Sequence, residues 1–421
     1  MQRKICLTLV ICLVLNIIIP VIYAAEELPT FAVVEETVSE INAQESVETV
    51  KEVETKTAVS DANFNFTSKS QILMDMDTGI VIYENKADEK AYPASVTKIM
   101  TLLLIMEAID SGKIAYTDMV TCSENAASMG GSQIWFKVGE QITVDEALKC
   151  ICVVSANDVC IAMAELIGGN EENFVKMMND KAKELGMNGT NFVNVHGIDD
   201  ENHYTTARDI AKMSIELMIK HKDITKYTTI WMDSIRGGTF ALSNTNKLIR
   251  YYDGATGLKT GYTSIAKYNL SATATKNGMS LVAVVLTAPS SDIRNEEAKQ
   301  LLNYGFANYE TQKICEKGEV IDKININKYL GDKVDVVLEN DISILNEKGK
   351  KVECKKQIKI NNKLCAPLKK GDKVGEVIYT NQDGIEIGKV NVVINEDIKK
   401  SGLLDYIKQG LNIYTMGKNV F

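Results

Sequence analysis

The sequence predicts an α+β fold, in which an antiparallel sheet flanked by helices holds a helical insertion, followed by a small all-β domain and a terminal amphipathic helix. Three observations carry this expectation. Apolar-rich runs at Gln71–Asp75 and Ile80–Glu84 flank the turn-forming Asp77-Thr78-Gly79, and strand periodicity returns after Gly257 in Leu258–Thr263, Tyr268–Lys276 and Met279–Thr287. Between them, Thr117–Lys220 reads as helices and loops. Beyond Thr311 the chain turns to short Val/Ile/Lys runs, such as Lys333–Leu338 and Gln357–Ile360, punctuated by glycine turns. One hairpin early and three strands late fold most simply as a single sheet with an insertion.

The composition supports a folded, exported protein. A chain of 421 residues, 45% hydrophobic and 24% charged, has material for two domains with substantial cores, which excludes global disorder. The formal charge of −9 is concentrated, since residues 26–61 hold ten acids against two lysines. No basic face of the size that phosphate contacts require is in prospect, so nucleic acid is excluded as a partner. Arg3 and Lys4, an apolar stretch from Ile5 to Ile22 and Tyr23-Ala24-Ala25 form an export signal over residues 1–24. Cleavage falls after Ala24; an uncleaved membrane anchor is the alternative. Either way, the rest works outside the cytoplasm. Two of the nine cysteines lie in the signal, and the seven that remain, an odd number, imply no disulfide framework. Cys150-x-Cys152 lacks the two-residue gap of common zinc sites, and with three histidines in the chain no structural metal is expected.

Each element follows from local pattern. Residues 25–62 carry no sustained helical stripe and read as a solvated acidic leader. Ordered structure begins near Asn63, and a first domain spans 63–310. Its opening hairpin leads to Ser95–Ile109, apolar on nearly every face and so expected as a helix buried on all sides, with Pro93 where a helix start tolerates proline. Asp145–Ile167 and Asn173–Leu185 are helical, the second stopped by Gly186. Asn277-Gly278 turns the last two strands, and a helix over Asp292–Phe306 closes the domain. Residues 311–398 form the β-rich domain, read as a spacer or docking module. In 399–421, Leu403, Leu404, Ile407, Leu411 and Tyr414 stand at helical spacing among lysines. Such a helix lies on a membrane surface; the alternative is that it packs on the protein itself.

Three motifs carry chemistry. In Ser95-Val96-Thr97-Lys98, positions i and i+3 share a helix face, so the Lys98 amine reaches the Ser95 hydroxyl as its base, near a helix N-terminus that favours developing negative charge. Lys98 then needs burial or a second cation to bring its pKa towards ambient pH. The spacing recurs at Ser264–Lys267, but between strands, where i and i+3 do not share a face. Ser155-Ala156-Asn157 follows the apolar run Ile151–Val154 and offers a hydroxyl to relay a proton and an amide to orient a substrate amide; Ser123-x-Asn125 repeats that spacing. Lys259-Thr260-Gly261 occurs once, on the strand expected at the sheet edge. There Lys259 is the second cation, Thr260 a hydroxyl for a carboxylate, and Gly261 a point of close backbone approach. His196 with Asp199 or Asp209 offers a Ser-His-Asp reading, set aside because Lys98 already supplies a base. His203 and His221 read as surface residues.

The motifs in this order, with first positions 60 and 104 residues apart, resemble those of the penicillin-recognising serine acyltransferases. Gly131-Ser132, Phe136-Lys137-Val138-Gly139, Ser155-Ala156-Asn157-Asp158, Val195-His196-Gly197-Ile198-Asp199, Thr206-Ala207-Arg208-Asp209 and Tyr268-Asn269-Leu270 are similar to the low-molecular-mass penicillin-binding proteins that are D-alanyl-D-alanine carboxypeptidases. The resemblance covers nearly the whole chain and implies the penicillin-binding/β-lactamase-like transpeptidase fold. It implies Ser95 as the acyl-ester nucleophile, Lys98 as proton acceptor, and Ser155 and Asn157 as relay and amide contact. It further implies that Lys259 and Thr260, assisted by Arg294, bind the substrate's terminal carboxylate, and that the backbone N–H groups of Ser95 and Tyr262 form the oxyanion hole. Tyr262 stands where some members carry His. The implied partners are peptidoglycan stem peptides ending in D-Ala-D-Ala, β-lactams as covalent inhibitors, and the outer face of the cytoplasmic membrane through the C-terminal helix, with no cofactor. A class A β-lactamase would need a deacylating glutamate, and residues 158–258 hold no Glu-x-x-Leu-Asn. A non-catalytic penicillin sensor or wall-binding scaffold is the alternative outside enzymes.

Overall fold

The computed structural model describes residue 62 and residues 64–409 apart from 362 and 383. The expected export signal, nearly all of the expected acidic leader and residues 410–421 of the expected terminal helix lie outside the described residues.

Five strands, β1 (Ser70–Asp75), β2 (Val81–Asn85), β3 (Ala255–Thr263), β4 (Lys267–Lys276) and β5 (Met279–Ala288), form one antiparallel sheet in the order β2-β1-β5-β4-β3. The early hairpin thus pairs with the late strands, and β3, which carries the Lys-Thr-Gly motif, is an edge. Ile72, Val282 and Val284 enter one core while Leu73, Leu281, Ala283 and Val285 enter another. Both faces are therefore covered, which is why β5 reads as an unbroken apolar run instead of an alternating one. Asn277 and Gly278 turn β4 into β5 with φ of +52° and +81°, the left-handed pair that a two-residue hairpin needs.

The helices used below are α1 (Lys98–Asp110), α2 (Val144–Lys149), α3 (Asn157–Gly168), α4 (Glu171–Glu184), α5 (Ala207–Lys220) and α6 (Ser291–Asn308). α5 packs on one face of the sheet and α6 on the other. α1 lies against α3, α4 and α5 with ten of its thirteen residues buried, as its apolar circumference predicts.

Two expected helices are corrected. The segment from Ser95 begins as a tight 3-10 turn, Ala94–Thr97, and regular helix starts at Lys98. The run Asp145–Ile167 is not one helix: α2 passes into a π turn, Cys150–Val154, Ser155 adopts a left-handed conformation at φ +63°, and α3 restarts at Asn157. The break hides in the pattern because residues 150–164 around it are almost all buried. Two short hairpins, Met119–Thr121 with Gln141–Thr143 and Met232–Ile235 with Phe240–Ser243, also lie inside the region read as helices and loops.

Beyond α6 the chain forms β6 (Tyr309–Cys315), β7 (Val320–Ile324), β8 (Val334–Leu338), β9 (Ile342–Glu347), β10 (Lys355–Ile360), β11 (Lys373–Thr380) and β12 (Glu386–Ile394). These make a sheet in the order β7-β8-β12-β11-β10 and a β6-β9 ribbon around Val336, Val377, Val392 and Ile394. The lysines of the exposed strand β10 guard a sheet edge. Thr311 on β6 donates to Asp75 Oδ2 on β1 at 2.6 Å, tying the two parts together. Residues 403–409 are helical, and Leu403, Leu404, Tyr406 and Ile407 on them are exposed. Among the described residues no helix is long and apolar enough to cross a membrane.

Glu297 on α6 holds the start of the ordered chain. It is buried, and its carboxylate accepts from the N–H groups of Thr67 at 2.7 Å and Ser68 at 3.2 Å and from both hydroxyls. Glu297→Ala leaves those donors facing a void, with an expected loss of about 3 kcal/mol in denaturant unfolding. An unchanged midpoint would refute this role.

Candidate active site

The site is built around the first turn of α1. Ala94 takes φ +48°, which turns the chain into the 3-10 segment, and Ser95 and Lys98 follow on one face. Lys98 Nζ donates to Ser95 Oγ at 2.9 Å, to Asn157 Oδ1 at 2.8 Å and to the His196 carbonyl at 2.7 Å. Its side chain is fully buried, and that loss of hydration pulls its pKa down to about 8 against the opposing pull of Cys160 and Asp158.

Asn157 opens α3 at the end of the Ser155 kink. Its Nδ2 donates to Gly130 O at 2.7 Å and its backbone N–H to Ser132 O at 2.7 Å, so the 130–132 segment holds the amide with Oδ1 turned to Lys98. One Nδ2 hydrogen is left over. Gly131 must lack a side chain, since a Cβ there would lie 2.9 Å from Asn157 Nδ2. Ser155 Oγ is buried and has no hydrogen-bond partner among the described residues; it bonds neither Ser95 nor Lys98.

β3 brings the third motif beside Ser95. A Cβ on Gly261 would lie 2.8 Å from Pro93 O and 3.1 Å from Ser95 N, so the missing side chain makes room for the backbone of Ser95. Lys259 is 1% exposed and its Nζ donates to the Thr260 carbonyl at 3.1 Å. Burial first, and then the Lys98 charge, depress its pKa to about 7. Thr260 shares a 2.7 Å hydrogen bond with the Thr245 hydroxyl, a residue with no signal in the sequence. Tyr262 is half exposed, its ring 4.4 Å from that of Tyr268. Arg294 on α6 is buried, with Nε and Nη2 on Asn295 Oδ1 at 3.2 and 3.0 Å and Nη1 on the Asn269 carbonyl at 3.5 Å. Burial lowers its pKa to about 10.

The histidines brace the site without acting as bases. The His196 carbonyl meets Lys98, while its ring accepts from the Ile198 N–H at 3.1 Å and burial holds it neutral, with a pKa near 3. His203 and His221, expected at the surface, are buried. His203 Nδ1 accepts from the Val193 N–H at 3.1 Å, which leaves Nε2–H to donate to Thr97 Oγ1 at 2.8 Å in the turn that carries Ser95. His221 Nδ1 sits 2.6 Å from Asp110 Oδ2 at the far end of α1. The seven described cysteines are unpaired, and the described residues contain no cluster able to hold a metal ion.

Residues 54–290 match the profile of the D-alanyl-D-alanine carboxypeptidase family, and residues 309–400 that of the penicillin-binding protein 5 C-terminal domain. D-alanyl-D-alanine carboxypeptidase DacF of Bacillus subtilis is 43% identical over 355 residues, covering 83% of this chain and 91% of its own. DacA of Haemophilus influenzae is 36% identical over 348 residues, covering 80% and 86%. Among solved structures, penicillin-binding protein 5 from Haemophilus influenzae superposes with a TM-score of 0.65 at 34% identity, over 81% of this chain and 100% of that one. Penicillin-binding protein D2 from Listeria monocytogenes, in its ampicillin-bound form, gives 0.54 at 26% identity, over 58% and 99%.

Gly197 sets the distance between the His196 carbonyl and the Ala94–Thr97 turn. Its φ is +89°, and a Cβ there would lie 1.8 Å from Ala94 O. Gly197→Ala is expected to lower stability by about 3 kcal/mol through overpacking and backbone strain. Acylation by a labelled penicillin should fall with it, and a variant as stable and reactive as the parent would show that this approach is not required.

Proposed function

The chain belongs to the D-alanyl-D-alanine carboxypeptidase family, and from that membership we propose a mechanism in which Ser95 is the nucleophile and neutral Lys98 its base. The observation that carries it is the triple hydrogen bonding of Lys98 Nζ. A neutral amine has two N–H bonds and one lone pair. Asn157 Oδ1 and the His196 carbonyl are pure acceptors, so they take the two hydrogens and aim the lone pair at the Ser95 hydroxyl. Ser95 Oγ then loses its proton to Lys98 as it attacks the carbonyl of the penultimate D-alanine. The backbone N–H groups of Ser95 and Tyr262 receive the oxyanion. The departing amine takes a proton from Lys98 through the Ser155 hydroxyl, which has no partner among the described residues and turns to Lys98 once substrate is bound; D-alanine leaves, and water resolves the acyl-enzyme with Lys98 again as base.

Lys259, Thr260 and Arg294 hold the substrate's free carboxylate on this reading, and the two lysines share one proton to do it. Burial depresses both amines, Lys98 to about 8 and Lys259 to about 7, and the Lys98 charge adds to the fall at Lys259. A carboxylate arriving at Lys259 favours the proton there, and the Lys259 charge in turn disfavours one on Lys98. Substrate thereby moves the pair into its working state.

The working place is outside the cytoplasmic membrane, on peptidoglycan stem peptides ending in D-Ala-D-Ala. β-Lactams acylate Ser95, a reading supported by the ampicillin and cefotaxime forms of the Listeria monocytogenes relative. The exposed apolar residues of 403–409 support contact with the membrane surface.

Release of D-alanine from diacetyl-L-Lys-D-Ala-D-Ala by the full chain tests the activity. Lys98→Ala should reduce both this and penicillin acylation by roughly a thousandfold while the fold persists, and normal acylation would refute the base assignment. The active form of the free enzyme carries one proton on the lysine pair, so kcat/KM should be bell-shaped. It should rise with pH as the doubly protonated pair loses its first proton and fall as the pair loses its second, with macroscopic limbs in the region of about 7 to 8. A profile flat across this range would refute the shared proton. Deleting residues 401–421 should release the protein from membranes with peptidase activity intact; unchanged fractionation would assign the anchor to the N-terminal segment.

A further inference from the structure

Asn269 lies on β4 with no exposed surface, and every polar group of its side chain is engaged. Nδ2 donates to Tyr92 O at 2.8 Å and to Pro93 O at 3.1 Å, and Oδ1 accepts from the Thr287 N–H at 2.7 Å. The third bond has a cause in the ladder. Tyr268 stands opposite Ala288 but Leu270 opposite Val285, so Leu286 and Thr287 face Asn269 alone, as a β-bulge with Thr287 at φ +58°. Asn269 Oδ1 supplies the partner for Thr287 N–H.

The other contacts reach the chemistry. Tyr92 and Pro93 directly precede Ala94, the residue at φ +48° that turns the chain into Ser95. On the neighbouring strand β3, Asn269 stands opposite Gly261, whose missing side chain admits Pro93 O. The Asn269 carbonyl accepts from Arg294 Nη1 at 3.5 Å, and Asn295 Oδ1 holds the rest of that guanidinium. One buried amide therefore braces the nucleophile's turn and the bulge, and its own carbonyl steadies the arginine of the carboxylate site. A side chain of this size with two donors on one atom and an acceptor on the other is an asparagine; an aspartate would set a carboxylate against two carbonyl oxygens.

We propose that Asn269 is a positioning residue for the carboxypeptidase reaction, fixing Ser95 relative to the oxyanion donor of Tyr262 and to Arg294. It touches no reacting atom. The inference rests on the mechanism above, which gives Ser95, Tyr262 and Arg294 their roles.

The test uses the full chain with Asn269→Asp, the uncharged Asn269→Ala, Arg294→Ala and the double variants, measuring kcat and KM for diacetyl-L-Lys-D-Ala-D-Ala beside thermal unfolding. Both Asn269 variants should unfold cooperatively, at a lower midpoint, with kcat reduced on the order of 100-fold and KM raised. In the Arg294→Ala background the KM effect of Asn269 should vanish while the kcat loss remains, a non-additivity that a general loss of stability would not produce. Folded variants with parental kcat and KM would overturn the proposal, as would strictly additive effects. Failure of both Asn269 variants to fold would overturn it too, by making the residue purely structural. A parent chain that releases no D-alanine, or a Ser95→Ala variant that still does, would instead refute the underlying mechanism.

Discussion

Burying the amine of Lys98 is the constraint on which the rest depends. Taking a lysine out of water costs several kcal/mol unless its hydrogens find acceptors, and the protein side of the pocket offers neutral ones. Two come from positions 59 and 98 residues away in sequence. The helical insertion can therefore be understood as a device that carries the start of α3 and the 194–198 loop back to the first turn of α1. Neutral acceptors matter as much as their number. A carboxylate in their place would stabilise the ammonium and remove the base, whereas carbonyls compensate the burial and still let the pKa fall.

Bringing three backbones to one point leaves little room, and the geometry of the site is set largely by main chain. Gly197 and Gly261 both face the Pro93–Ser95 segment at distances that admit no Cβ. Ala94 and Ser155 both occupy left-handed conformations that ordinary side chains avoid. Such strain persists where surrounding structure over-determines it, and here the constraints are visible in the His196 and Gly197 loop, the edge strand β3 and the amide of Asn269. The proposed nucleophile, Ser95, is held by its neighbours' backbones before any substrate arrives.

The sheet was legible in the sequence because its periodicity is that of strands covered on both faces, and the turns that join them carry residues suited to positive φ. Ser95 with Lys98 was legible because i and i+3 are neighbours on a 3-10 turn as well as on an α-helix, so the pairing survives the wrong assignment of that turn. The kink at Ser155 was not legible, since a run buried on every side gives the same pattern whether it is one helix or two. Nor was the acceptor role of His196. A backbone carbonyl has no residue type, and the histidine letter drew attention to a ring that takes no part. Gly197, Thr245 and Asn269 work through approaches between segments distant in sequence, which single-chain pattern does not encode. The partners of β3 could be foreseen, but not that Gly261 yields its space to the Pro93–Ser95 turn.

The electrostatics of the same cleft bear on why an exopeptidase should be built this way. Lys98, Lys259 and Arg294 are almost wholly buried, and their hydrogen-bond partners among the described residues are uncharged oxygens. Depressed pKa values on all three share one first cause, burial, which Asp158 near Lys98 and Asp292 near Arg294 only partly offset, since no carboxylate among the described residues forms an ion pair with any of the three. A ligand with a free carboxylate supplies the counter-ion and relieves the repulsion at the place where it binds. A peptide that continues beyond the scissile bond brings a neutral amide to the same place and leaves the cations uncompensated. On the proposed assignments, selection for the end of a chain and activation of the base are therefore one electrostatic event, and a compact ligand that pairs a reactive carbonyl with a carboxylate, as a penicillin does, would trigger it as effectively as the peptide.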